Sequence, residues 1–134
     1  MSLLIEKRER EGIAILDLKG RITMGEEVTN FRQTVQDLAK EPSPKLILNM
    51  HGVDYIDSTG LGAIVMCSTA VRGASGITKL LNLNKRNIEL LVATKLSVIF
   101  EVFDNEQDAV NSFFPGREIK KFDILEFVKA NKRG

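Results

Sequence analysis

Hydrophobic and polar positions change period several times along the chain. Two short apolar stretches, residues 3–5 and 13–18, flank a charged run at 6–12. The second stretch alternates, with Ile13, Ile15 and Asp17 on one face and Ala14, Leu16 and Leu18 on the other. Gly12 and Gly20 punctuate its ends, so the pattern predicts a two-stranded hairpin. From Glu26 the spacing lengthens. Val28, Phe31, Val35 and Leu38 recur three and four apart among polar residues, which predicts an amphipathic helix stopped by Pro42 and Pro44. Residues 45–50 are almost wholly apolar, as suits a central strand covered on both faces.

Further on, Leu61, Ile64, Val65, Ser68 and Val71 return to helical spacing, which Gly73 and Gly76 bring to a close. Residues 77–83 form the next strand, and a polar break at 84–87 leads into a helix over 88–94. Residues 98–104 read as the last strand and 105–113 as a helix capped by Asp104 or Asn105. Beyond Pro115 and Gly116, Phe122, Leu125 and Val128, with Ile124 beside them, make one face of a further helix whose basic end is expected to fray. The order β-β-α-β-α-β-α-β-α predicts an α/β fold: a mixed, largely parallel sheet after an N-terminal hairpin, with helices packed against it.

Composition narrows the classes. A formal net charge of +1 supplies no whole-molecule field that would draw nucleic acid or anionic lipid. The single cysteine, Cys67, cannot form an internal disulfide, which suits a reducing, cytoplasmic setting. No apolar signal region follows Met1, and no apolar run is long enough to span a bilayer.

Catalytic equipment is sparse. His51 is the only histidine, so His-pair metal motifs and relays are excluded, and it reads as a solvated loop residue. Cys67 lies within a predicted helix with nothing basic beside it, and reads as a small buried hydrophobe. The run Asp57-Ser58-Thr59-Gly60-Leu61-Gly62 lacks the glycine before serine that a nucleophile elbow needs. Its glycines are too few for a dinucleotide fingerprint, and no P-loop is present. The run fits a helix start instead, with Asp57 or Ser58 as N-cap. Gly60 and Gly62 each cost up to roughly 1 kcal/mol against alanine if interior, so they need a reason: close backbone packing, or a turn left bare for an approaching protein. The six residues then have two readings. They are a cap with packing glycines, or a helix N-terminus at which Ser58 accepts phosphate and gains about −1.5 to −2 charge.

At these residues the chain resembles the STAS-domain family, and within it the bacterial anti-sigma factor antagonists. The resemblance is strongest over residues 46–65, where an apolar strand and the turn Val53-Asp54-Tyr55-Ile56 precede the Asp-Ser-Thr-Gly-Leu-Gly string. It extends more weakly over about residues 1–114. The resemblance implies partner switching. An unphosphorylated antagonist binds an anti-sigma factor serine kinase and frees a sigma factor for transcription. Phosphorylation of the serine after the aspartate, here Ser58 with Thr59 as the lesser candidate, breaks that complex, and a PP2C-type phosphatase restores it. The chain would then be a non-enzymatic phosphoprotein with no cofactor of its own, no direct contact with nucleic acid, no membrane insertion and at most a weak homodimer. Partner-binding residues would be Asp57, Ser58, Thr59, Gly60, Leu61, Gly62, Arg21 and Thr23. Residues 1–115 would form the STAS domain, and 116–134 a helical extension packed on it or projecting from it.

Two features depart from the family pattern. Arg21 stands where an acidic residue is common, and the basic segment 117–134 continues past the usual end. These departures keep open a second function, a STAS scaffold or sensor in a stress-signalling assembly or with a membrane transport system. A small hydrolase using Ser58 is a third, disfavoured by the lack of a base.

Overall fold

The computed structural model describes residues 3–120 and 122–133. Its elements run β1 (Leu4–Arg10), β2 (Ile13–Ile22), α1 (Glu26–Leu38), β3 (Lys45–Ile56), α2 (Ser58–Gly73), β4 (Ile77–Leu81), α3 (Lys85–Ala93), a short 3-10 turn (Leu96–Val98), β5 (Val102–Phe103), α4 (Glu106–Asn111) and α5 (Ile124–Arg133). The five strands form one sheet in sequence order. The β1–β2 pair is antiparallel and every later pair is parallel, as the alternation predicts.

The sheet is covered on both faces, which is why its central strands read as continuous apolar runs. On one face Leu16, Leu18, Leu46, Leu48, Met50 and Leu80 meet Val28, Phe31 and Val35 of α1 and Ala63, Ile64 and Val71 of α2. On the other, Ile13, Ile15, Ile47, Leu81 and Phe103 meet Ala109 and Val110 of α4, with Phe113, Phe114 and Ile119 packed alongside. Phe122 and Ile124 pack against the larger core, so the segment leading into α5 lies on the domain. Lys121, Gly134, Met1 and Ser2 lie outside the described residues, as do the side chains of Glu26, Glu27, Asn131, Lys132 and Arg133, so the expected fraying of residues 129–134 falls largely outside them.

Several boundaries differ from the sequence reading. The charged run at 6–12 is not a connection: β1 continues through Arg10, and only Glu11 and Gly12, both at positive φ, make the turn. Pairing with β2 keeps this edge strand in the sheet, and ion pairs tie its charged side chains to β2 and α4. Arg8 binds Asp17 at 2.7 Å and also reaches Glu106 of α4, while Arg10 binds Glu106 at 2.7 Å. β3 runs six residues past Met50, so His51 is an exposed strand residue and not part of a loop. The polar break at 84–87 contains the first turn of α3, which begins at Lys85 under an Asn84 cap. The final strand shrinks to Val102–Phe103, because residues 96–98 turn as a 3-10 helix that leaves Val98 88% exposed. Asn105, not Asp104, caps α4 by accepting the Asp108 N–H at 3.0 Å.

Glu106 joins the N-terminal hairpin to α4, and its bonds to Arg8 and then Arg10 outweigh burial to draw its carboxyl from 4.5 down to about 2. A depressed folded-state value means that the stabilisation is complete above pH about 4.5 and is lost as pH falls toward 2. Glu106→Gln should therefore lower stability at pH 7 by about 1 kcal/mol and flatten the decline between those limits. Urea unfolding followed across pH 2–7 measures both effects.

Candidate functional site

β3 delivers the Asp57-Ser58-Thr59 run to the edge of the core. Ile56 is buried at the strand's end, Asp57 follows in extended backbone, and α2 starts at Ser58. Asp57 is the cap. Its Oδ1 accepts the Gly60 N–H at 2.7 Å, and its Oδ2 accepts the Met24 N–H at 3.1 Å. The Asp57 N–H donates to the Ile22 carbonyl at 3.3 Å. One residue thus closes the helix end and pins the loop between β2 and α1.

The two glycines divide the explanations offered for them. A Cβ on buried Gly60 would stand 1.8 Å from the Ile22 carbonyl oxygen, so that position is fixed by close backbone approach. A Cβ on Gly62 would meet nothing within 4 Å, so that position keeps the exposed side of the turn bare. Ser58 and Thr59 are exposed, and Leu61 is half-buried against the core. A helix start leaves its first N–H groups without intrahelical acceptors. Asp57 takes those of Gly60 and Leu61, and those of Ser58 and Thr59 are left for solvent or an anion.

Around this turn the structure places Arg21 and Thr23, which the resemblance grouped with it, and adds Tyr55 and Arg86, which the sequence reading did not single out as site residues. Arg21 pairs in register with Tyr55, and its guanidinium carbon lies 5.9 Å from the ring centroid. Arg86, at the start of α3, stacks closer at 4.2 Å. Asn84 and Asn87 hold that helix start in place: each donates to the Val53 carbonyl at 3.2 Å. Thr23 is half-buried in the loop that Asp57 pins, followed by Met24 at 75% exposure. Arg86 was hidden because its segment reads as a polar break. The Asn-x-x-Asn spacing of 84–87, with a side-chain acceptor three residues before the N–H it binds, is the signal that finds the helix start.

The other titratable candidates lie elsewhere. A groove of about 570 Å³ over the C-terminal halves of β2 and β3 is lined by Asp17, Lys19, Asn49, His51 and Asp54, among others. Arg8, followed by Asn49, holds the Asp17 carboxyl below the usual carboxylate range. Cys67 is buried in α2, where burial pushes its thiol up to about 11 against a smaller opposing effect of Arg32. Among the described residues, no group of three His, Cys, Asp or Glu is placed to hold a metal ion. No helix among them is long and apolar enough to cross a membrane.

The site is thus a strand-to-helix turn with an aspartate cap, an exposed serine and a bare first turn, carried on a mixed sheet. The STAS domain family matches residues 5–109. The chain belongs to that family. A curated relative, the anti-sigma F factor antagonist of Paenibacillus polymyxa, is 24% identical over 110 residues, spanning 82% of this chain and 94% of its own. A solved Thermotoga maritima protein, a candidate anti-sigma factor antagonist, superposes with a TM-score of 0.75 at 23% identity, covering 81% of this chain and 92% of that one. The phosphorylated form of the Bacillus cell fate determinant SpoIIAA superposes at 0.64 with 16% identity, covering 82% and 99%.

The glycine pair provides a direct check on the turn. Gly60→Ala should destabilise the STAS domain by about 1–3 kcal/mol, because the added methyl must displace the Ile22 backbone. Gly62→Ala should be neutral or stabilising by up to about 1 kcal/mol. Urea unfolding of the two variants reads the difference.

Proposed function

We propose that this STAS protein is an anti-sigma factor antagonist that works by partner switching, with Ser58 as its phosphate acceptor. The observation that carries the reading is the division of labour in the Asp57–Ser58 doublet. Asp57 supplies the cap and the loop contact, while Ser58 is exposed and its hydroxyl enters no hydrogen bond among the described residues. Similarity to antagonists of known structure supports it, including SpoIIAA in unphosphorylated and phosphorylated forms.

In this mechanism the unphosphorylated surface around α2's first turn binds an anti-sigma factor serine kinase, and the sigma factor is released. The kinase then transfers the γ-phosphoryl group of ATP to Ser58. A bond forms between Oγ and phosphorus, the bond to ADP breaks, and the serine proton is lost. The phosphate oxygens can take the N–H groups of Ser58 and Thr59 and lie at the favourable end of the helix dipole, so the fold survives the modification. The added charge of about −1.5 to −2 falls on the face that the partner must cover, and the complex dissociates. Hydrolysis by a PP2C-type phosphatase resets the surface. The protein acts here as a cytoplasmic substrate and ligand, not as a catalyst. Residues 1–115 form the switching domain and 116–134 an extension outside the switch.

The reading is tested by incubating the protein with ATP and the serine kinase encoded with it, then mapping phosphate by mass spectrometry. Wild type should be modified at Ser58, Ser58→Ala should stay unmodified yet bind the kinase, and Ser58→Asp should bind about tenfold more weakly. Phosphate on Thr59 in the wild type would reassign the acceptor. Full labelling of Ser58→Ala, or recovery of transporter subunits in place of a kinase from the native cell, would count against partner switching.

A further inference from the structure

Three elements converge on the end of β3. β2 arrives through the register pairs Arg21–Tyr55 and Ile22–Ile56. The loop after it is tied to Asp57 through Met24. The start of α3 is tied to the Val53 carbonyl through Asn84 and Asn87. The result places two guanidinium groups on one tyrosine ring, three residues before Ser58.

These arginines differ from those that build the fold. Arg8 and Arg10 bind Glu106, and Arg117 binds Glu11 at 2.9 Å. Arg21 and Arg86 are exposed and bind no carboxylate among the described residues, although Asp54 adjoins Tyr55 and Glu89 lies three positions after Arg86. Both guanidinium groups lie within cation–π range of the Tyr55 ring, Arg86 closely and Arg21 at its outer limit, and a guanidinium so placed can still offer paired N–H donors to a bidentate acceptor. The closer contact restricts the Arg86 side chain beforehand, so less of its freedom is lost when a carboxylate arrives. The charge is local: with Asp54 and Glu89 at hand and a net charge of +1 on the chain, there is no extended field of the kind that binds nucleic acid. Met24 adds an exposed apolar contact on the loop that Asp57 pins, as a protein interface would use.

We propose that Arg21 and Arg86, gathered on Tyr55 beside the Asp57–Ser58 turn, receive an acidic segment of the protein partner. The proposal rests on the partner-switching reading and gives that switch its direction. A partner drawn in by carboxylates meeting two arginines is driven off when phosphate is placed on Ser58, because the new charge has the sign of the partner's own segment. A partner presenting arginines would instead be held more tightly.

Two measurements on the full chain test this, one of them independent of any partner. In a nitrogen-15 NMR titration with a hexaglutamate peptide, amide shifts should concentrate at residues 20–24, 54–59 and 84–88, and Arg21→Glu/Arg86→Glu should abolish them. Shifts spread over other basic residues, or unchanged in that variant, overturn the proposal. In calorimetry with the serine kinase that modifies Ser58, the double charge reversal should weaken binding about tenfold, Arg21→Lys/Arg86→Lys should restore part of it, and added salt should narrow the difference. Equal affinity of wild type and the reversed variant overturns the proposal. So does a guanidinium Nε shift seen only on phosphorylation, which would mean that the arginines hold the chain's own phosphate. If the kinase fails to bind wild type, the partner-switching reading falls while the glutamate titration still decides the acidic-segment surface. Circular dichroism of each variant confirms that the exposed substitutions leave the fold intact.

Discussion

The contact between Gly60 and the Ile22 carbonyl sets the geometry of the functional end of this domain. A side chain at Gly60 would occupy the space that the β2 backbone fills, so α2 can descend onto the sheet only with glycine there. Asp57 locks the approach by binding the Gly60 and Met24 N–H groups with its two oxygens and the Ile22 carbonyl with its own N–H. An N-cap of this kind contributes about 1 kcal/mol. Its larger consequence is positional, because β2, β3, α2 and the loop before α1 are brought together at one residue, and Ser58 is left outside the set.

A second constraint acts across the sheet. Ile13, Ile15, Ile47, Leu81 and Phe103 need a cover, and the short α4 with Phe113 and Phe114 supplies it. A six-residue helix has little stability of its own. It is held by burial of Ala109 and Val110 and by Glu106, which reaches across to Arg8 and Arg10 on β1. Lys79, buried beneath this layer, binds Ser112 and Glu101 and faces the rings of Phe103 and Phe113, so even its charge is spent on joining β4 to α4. The edge strand β1 can then carry five charged residues of its seven, which discourages pairing with another sheet, without drifting from its neighbour.

Which parts of this were legible in the sequence follows from the same physics. Elements with one period and a covered face, such as α1 and the core of β3, announce themselves because burial selects apolar residues at regular spacing. β1 does not, since most of its side chains are charged and it is held by pairing with β2, by Ile5 on the core and by ion pairs with residues as distant in sequence as Glu106. Neither does the later half of β3, where Gly52 and exposed His51 break the alternation while the strand continues its pairing with β2. At the site, the Asp57-to-Gly62 string is local and could be read directly. The Arg21–Tyr55–Arg86 cluster could not, because it is assembled from three elements whose juxtaposition only the sheet order defines.

Placing the cap on Asp57 and the hydroxyl on Ser58 also separates stability from signalling. Were Ser58 the cap, phosphorylation would remove a bond on which the helix start depends, and the switch would work by loosening the fold. With Asp57 occupied by Gly60 and Met24, the modification breaks no hydrogen bond recorded for the described residues. On the proposed reading, phosphorylation of Ser58 would therefore change surface charge on an unaltered scaffold. A rigid switch of the proposed kind would depend on electrostatic complementarity with its partner, and the arginines beside Tyr55 would then bear on the outcome alongside the serine.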